Sequence, residues 1–289
     1  MLPLEAVPNF SEGRDRATID ALAEALGSRA RLLDIHSDPD HNRSVFTLVG
    51  DEAALLEALL AGVRVARERI DLRAHQGAHP RIGAADIVPV VPIIASDLER
   101  ARRLSRELGA RIGSLGLPVF LYDPPERGPA FYRRGGSAEL ARRLCAGELA
   151  PDFGPDRLDP SAGAVMVGAR APLIAFNVNI RGSLELARAL ASGIREGGGG
   201  FPGVRALGLE LPRVGLVQVS MNIEDWQASP PHEILALIDA RARAQGGRVA
   251  GSELVGLIPA GAVVAAAGAP LGLESLDSSR VLELRLLPD

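Results

Sequence analysis

Two histidines four residues apart stand in the stretch RAHQGAHPRIGAAD, residues 73–86: His75 and His79, the second followed by Pro80 and Arg81. On an α-helix that spacing points both imidazoles at one metal ion. The residues between them argue against the helix. Gly77 weakens it from within, and Pro80 steers His79 out of the helical conformation toward an extended one. An extended His79 beside Arg81, with Gly83 and Asp86 just downstream, has the make-up of a catalytic loop. An imidazole titrates at about pH 6.5 and can take a proton at neutral pH, and a neighbouring guanidinium can hold an acid. A surface loop whose histidines carry no chemistry is the other reading of the same residues.

A second cluster, HSDPDHNRS at 36–44, gathers His36, Asp38, Asp40 and His41. In a strand the first three share one face, as a set of metal ligands would. Asp-Pro-Asp is equally the chemistry of a polar turn. Asparagines alternate with apolar residues in AFNVNI (175–180), at Asn177 and Asn179, and recur in VSMNIED (219–225). In buried strands such amides need partners and can hydrogen-bond a ring or another amide. The glycine run REGGGGFPG (195–203) lacks the strand-before, helix-after context of a phosphate loop and reads as a connector or a lid.

Composition narrows the chemistry. The 32 basic residues are all arginine, so a pyridoxal Schiff base and a Walker A loop are excluded for want of a lysine. A net charge of −4 speaks against wholesale nucleic-acid binding. One cysteine, Cys145, excludes a disulfide framework and any multi-cysteine zinc site. No apolar run approaches the ~18 residues of a membrane span, and the N-terminus lacks the character of a signal peptide. A soluble cytoplasmic protein is expected. Arginine grips planar carboxylates through paired hydrogen bonds, which favours a carboxylate-bearing substrate.

The elements that must position these residues alternate along the chain. LEAVPNF reads as a short strand and RATIDALAEALGS as an amphipathic helix. ARLLDIHSD and NRSVFTLVG form a hairpin, and DEAALLEALLAGVRVARERI is a long helix with acids first and bases last. ADIVPVVPII is extended, and its Pro89 and Pro92 suggest an edge or bulged strand. A further helix (DLERARRLSRELGARIGSLG) and a buried strand (LPVFLY) follow. The second half restarts the pattern: strand APLIAFNVNI, helix, hairpin VRALGLELP/RVGLVQVSMNI, helix PPHEILALIDARARAQG. The fold class expected is α/β (α+β): two sandwich subdomains of the split βαβ, ferredoxin-like type, each a mixed or antiparallel sheet with helices on one face. The Pro-, Gly- and Asp-rich GELAPDFGPDRLDPSAGA is an irregular connector ahead of the boundary, giving subdomains 1–170 and 171–289.

Seven segments, in order over nearly the whole chain, resemble the formiminotransferase family: VPNFSEG (7–13), DHNRSVFT (40–47), AHQGAHPRIGAAD (74–86), PDFGP (151–155), GARAPLIAFNVNI (168–180), QVSMNI (218–223) and GSELVGLIP (251–259). The resemblance implies transfer of a formimidoyl group from N-formimidoyl-L-glutamate to N5 of tetrahydrofolate, a step of histidine breakdown. It also implies a homodimer, folate held between two subdomains, no metal, and a separate cyclodeaminase acting on the product. The family's catalytic histidine falls in its His-Pro-Arg motif, here His79. Its partner acid falls where this chain has His36, so His36 shuttles the proton or Asp38 or Asp40 supplies the carboxylate. Arg43 and Arg81, and with them Arg170 and Arg181, are the expected carboxylate clamps, and Asn9, Asn42, Gly83, Asn177 and Asn179 complete the expected substrate-binding set. The rival reading from the residues is a metal-dependent hydrolase of formimidoyl or formyl amides that uses His36, Asp38, His41 and His75.

Overall fold

The computed structural model describes residues 2–123, 127–268 and 280. The chain divides into two compact units, Met1–Ala171 and Pro172–Asp289.

The first unit opens with two short strands, β1 (Leu4–Ala6) and β2 (Asn9–Phe10), then α1 (Arg16–Gly27), the hairpin β3 (Arg31–Asp38) and β4 (Arg43–Gly50), α2 (Glu52–Arg69) and β5 (Ala85–Pro92). Helix α3 (Leu98–Ser114), β6 (Val119–Leu121), α4 (Pro129–Arg133), α5 (Gly136–Cys145) and β7 (Val165–Ala169) complete it. The helix starts are written locally. Asp15 accepts from the amides of Ala17 and Thr18 to cap α1, and Asp51 accepts from that of Ala54 to cap α2.

Strands β1 and β2 share one place in the sheet, between β4 and β5, with a break at Val7–Pro8. The sheet therefore runs β3, β4, β1 with β2, β5, β7, β6, antiparallel up to β5 and parallel beyond it. Alternation sends Phe46 and Leu48 of β4 against α1–α3, where Leu22, Leu26, Leu55, Leu59 and Leu108 are wholly buried. Each such side chain contributes about 1.5–3 kcal/mol. Arg43, Val45 and Thr47 face the other way. On that side, Met166 of β7 and Phe120 of β6 pack against Tyr132, Leu140 and Leu144 of α4 and α5.

Strand β5 is central, not an edge as its prolines suggest, and it carries the expected bulge where Asn9 pairs with Ile87 and Phe10 with Ala85. Continuing the β1 register sets Val7 opposite Pro89, and the Val7 amide donates to the Pro89 carbonyl at 3.1 Å. Pro89 has no hydrogen to return. The Val7 carbonyl takes the side-chain amide of Asn9 instead, at 2.7 Å, so the ladder loses a backbone donor and recruits a side chain.

The second unit runs β8 (Ile174–Arg181), α6 (Leu184–Ile194), β9 (Val204–Leu211), β10 (Leu216–Ile223), α7 (Pro231–Ala244), β11 (Arg248–Val255) and α8 (Ala260–Gly268). Its sheet is antiparallel, in the order β11, β8, β10, β9. Counted along the chain, its strands lie fourth, first, third, second, which is also the order of β5, β1 with β2, β4 and β3. The split βαβ expectation therefore holds in both units, and β7 and β6 extend the first. Ile174, Val178, Ile180, Val217, Val219 and Ile223 meet Leu190, Ile194, Ile234 and Ile238 of α6 and α7. The glycine run closes α6 tightly: a Cβ on Gly198 would lie 2.0 Å from the Ser192 carbonyl oxygen.

Candidate active site

Asp86, at the β5 bulge, is the electrostatic centre of the first unit. Its carboxylate is fully buried and accepts from the Ile82 amide at 2.8 Å, from Arg43 Nη1 at 2.8 Å and from Arg133 Nη2. Burial alone pushes this carboxyl up. The guanidiniums of Arg133 and Arg43 outweigh it and hold Asp86 ionised, well below the usual range. Arg43 reaches Asp86 from β4 and gives its Nε to Asn9 Oδ1 at 3.1 Å. Asn9, tied to Val7 by its other end, is thus a spacer between sheet and guanidinium.

The loop carrying His79 is pinned from several directions. Arg81 donates Nε to the carbonyl of His79 at 3.1 Å and Nη2 to that of His41 at 3.0 Å, while its Nη1 lies 2.8 Å from His75 Nε2. Burial, then Arg43, brings Arg81 down to about 10, still a cation at neutral pH. Asn42 adopts a left-handed backbone (φ 47°), accepts from the Gly13 amide at 2.9 Å and donates to the Gln76 carbonyl at 3.1 Å. Gly77 is required here, because a Cβ would fall 2.2 Å from the His41 carbonyl oxygen. Gly83 is required too: its Cβ would meet the Ala164 oxygen at 1.9 Å, and its own carbonyl accepts from Ser11 at 2.7 Å.

His79 Nδ1 lies 2.8 Å from the Pro80 carbonyl oxygen. A carbonyl only accepts, so Nδ1 carries the hydrogen of that bond and Nε2 keeps its lone pair. Burial, then Arg43 and Arg133, depresses the imidazole well below its usual pKa, against the pull of Asp86. This favours the neutral ring, and the His41 ring lies 5.8 Å away, centroid to centroid. A cavity of about 650 Å³ opens beside it, and His75, His79, Arg81 and Arg133 are among its polar lining.

The expected residues do not all gather here. Asp38 spends Oδ1 on the amides of Asp40 (2.7 Å) and His41 (2.8 Å), and its Oδ2 is 3.9 Å from His41 Nδ1. It shapes the turn that carries His41. His36 pairs with Val45 and shares the sheet face of Arg43. Arg170 follows β7, its amide on the Val90 carbonyl at 3.2 Å and its Nη1 on that of Ala171 at 3.0 Å. In the second unit Asn177 donates to Glu253 at 3.1 Å and Asn179 accepts from Gln218 at 2.9 Å, while Arg181 is exposed at the end of β8. The sequence reading missed Arg133, which stands in an arginine pair that no local signal separates from the other surface arginines. It quoted Asp86 and His41 without assigning them these parts. Among the described residues, no group of three or more His, Cys, Asp or Glu is placed to hold a metal ion.

A buried carboxylate shared by two arginines thus stands beside His79 and a cavity lined by guanidiniums, within an α/β fold. The chain belongs to the formiminotransferase family: residues 3–170 match the formiminotransferase domain, N-terminal subdomain, and residues 175–275 the formiminotransferase domain. It is 39% identical to the glutamate formimidoyltransferase of Streptococcus pyogenes serotype M1, over 98% of each chain. The enzyme of that name from Thermoplasma acidophilum is 38% identical, over 98% of this chain and 97% of its own. A formimidoyltransferase-cyclodeaminase of Dictyostelium discoideum is 38% identical over 94% of this chain, which spans 53% of that longer protein.

Proposed function

We propose that the protein transfers a formimidoyl group from N-formimidoyl-L-glutamate to N5 of tetrahydrofolate, releasing glutamate. Tetrahydrofolate is a co-substrate here. The observation that carries the reading is the placement of His79, its Nδ1 on the Pro80 carbonyl, in the wall of a cavity that Arg81 and Arg133 also line. The acceptor N5 attacks the amidine carbon and forms a tetrahedral intermediate. His79 Nε2 takes the proton that N5 must lose and returns it to the glutamate nitrogen, whose bond to carbon then breaks. Arg43 and Arg81 support the base by setting its charge environment and its loop. Asn9, Asn42 and Gly83 hold the frame around them. His36 is the proposed partner where the resemblance calls for an acid, and Asp38 holds the turn beside it. Asn177 and Asn179 are the proposed ring contacts, with Arg170 and Arg181 for the folate tail.

The family and the names of the relatives support this reading and give the hydrolase alternative no support. Among the described residues no helix is long and apolar enough to cross a membrane, and we place the reaction in the cytoplasm, in histidine breakdown, with the protein as a homodimer. A cyclodeaminase is the proposed next enzyme, an activity that the name of the Dictyostelium relative joins to the transferase. Incubating purified protein with N-formimidoyl-L-glutamate, with and without tetrahydrofolate, tests the proposal. Glutamate and 5-formimidoyl-tetrahydrofolate are expected to appear together. Glutamate released at the same rate without the acceptor would restore the hydrolase.

A further inference from the structure

Two guanidiniums line the cavity beside His79, and they are not equivalent. Every nitrogen of Arg81 is engaged, Nε and Nη2 on the carbonyls of His79 and His41 and Nη1 on the His75 ring. Arg133 commits only Nη2, to Asp86. Its buried Nε has no hydrogen-bond partner, and among the described residues none meets its Nη1. The side chain keeps 15% of its surface exposed, so it is anchored through Nη2 without being fully enclosed. Gly136 lines the same cavity, and a Cβ built on it meets nothing within 4 Å.

The geometry points to Arg133 as the residue that binds a carboxylate of the amino-acid donor and so selects dicarboxylate donors, an inference that rests on the transfer reaction proposed above. Asp86 fixes the guanidinium before substrate arrives, so little side-chain freedom is lost on binding. The donor's carboxylate completes a charge-assisted pair that the protein leaves half made. Arg81, saturated by its own loop, cannot do this without releasing His79.

The test compares three donors with tetrahydrofolate as acceptor: N-formimidoyl-L-glutamate, N-formimidoylglycine, which lacks the side-chain carboxylate, and 4-formimidamidobutanoate, which lacks the α-carboxylate. The wild-type protein should prefer the dicarboxylate over each analogue by roughly 10- to 100-fold in kcat/KM, the scale of a hydrogen bond between charged groups. In Arg133→Gln one of the two preferences should collapse to within about threefold, because the carboxylate it rewards has lost its partner. Arg133→Lys keeps the charge without the fork and should fall between, and it decides the matter if the glutamine variant does not fold. An Arg133 that only supports Asp86 would lower all three donors by the same factor and leave both preferences intact, which overturns the inference. Equal use of the three donors by the wild type overturns it too. No transfer at all from N-formimidoyl-L-glutamate by the wild type would instead remove the proposed reaction.

Discussion

The two units lay four strands in the same order and use the face turned away from their main helices in opposite ways. In the first, that face holds Arg43, Asp86 and Asn9, with Arg133 closing on Asp86 from α4. In the second, the equivalent face holds Asn177 with Glu253 and Asn179 with Gln218, amides that mostly pair across neighbouring strands. A buried amide needs only one or two hydrogen-bond partners, which side chains of adjacent strands supply. A buried guanidinium needs a counter-charge held in place, and that takes a bulge, a loop and a further helix. Helix α4 of the first unit is therefore part of its electrostatics as well as its core.

The largest expected effect comes from breaking the charged face. Asp86→Ala strands two arginines without their carboxylate and should cost about 3–5 kcal/mol in denaturant unfolding, along with most of the activity. The sign of its pH dependence follows from the depressed pKa. Asp86 contributes fully above its unfolded value of about 3.9, and that contribution drains away as pH falls below it. A loss under 1 kcal/mol would mean that the cluster is far more hydrated than its burial suggests.

Next in size is His79→Ala, which should lower turnover by ~100-fold or more while tetrahydrofolate affinity, followed by titration, stays near the wild-type value. Near-normal turnover would assign the base elsewhere. A related expectation concerns pH. Burial and the arginines depress His79, and the neutral ring is the active form, so the acidic limb of kcat/KM should lie below pH ~6.5. His36→Asp, which adds a carboxylate to the face of Arg43, should move that limb upward. An unmoved limb with unchanged rates would take His36 out of the chemistry.

The smallest effect is expected in the second unit. Gln218→Leu leaves the Asn179 oxygen short of one donor and should cost about 1 kcal/mol in unfolding. If this face also holds the folate ring, KM for tetrahydrofolate rises in Asn177→Ala and Asn179→Ala while the donor's KM holds. Unchanged KM in both variants would make the amide pairs purely structural and widen the contrast between the units.

What the sequence disclosed follows the range of the interactions involved. The helices, both hairpins and the absence of a helix between His75 and His79 rest on residues within a turn or two of one another, and all were legible. Asp86 and Arg133 owe their parts to contacts across the fold, and an arginine in a chain rich in arginine gives no sign of which carboxylate it will meet. Of the two readings that the prolines of β5 allowed, the bulge is present and the edge is not, for a specific reason. Proline belongs at sheet edges because a central strand cannot spare the hydrogen bond, yet here a side chain two residues along the neighbouring strand position fills the gap.

That substitution of an amide for a backbone donor has a consequence for orientation. An asparagine side chain is nearly symmetrical in shape and opposite in polarity at its two ends, so packing alone cannot choose which way it points. The Val7 carbonyl chooses, because it can meet only the NH₂ end. The oxygen is thereby presented to Arg43. Turned over, Asn9 would confront the guanidinium donor to donor and Val7 acceptor to acceptor. A hydrogen that Pro89 does not have thus sets the polarity of a contact on the guanidinium that acts on His79.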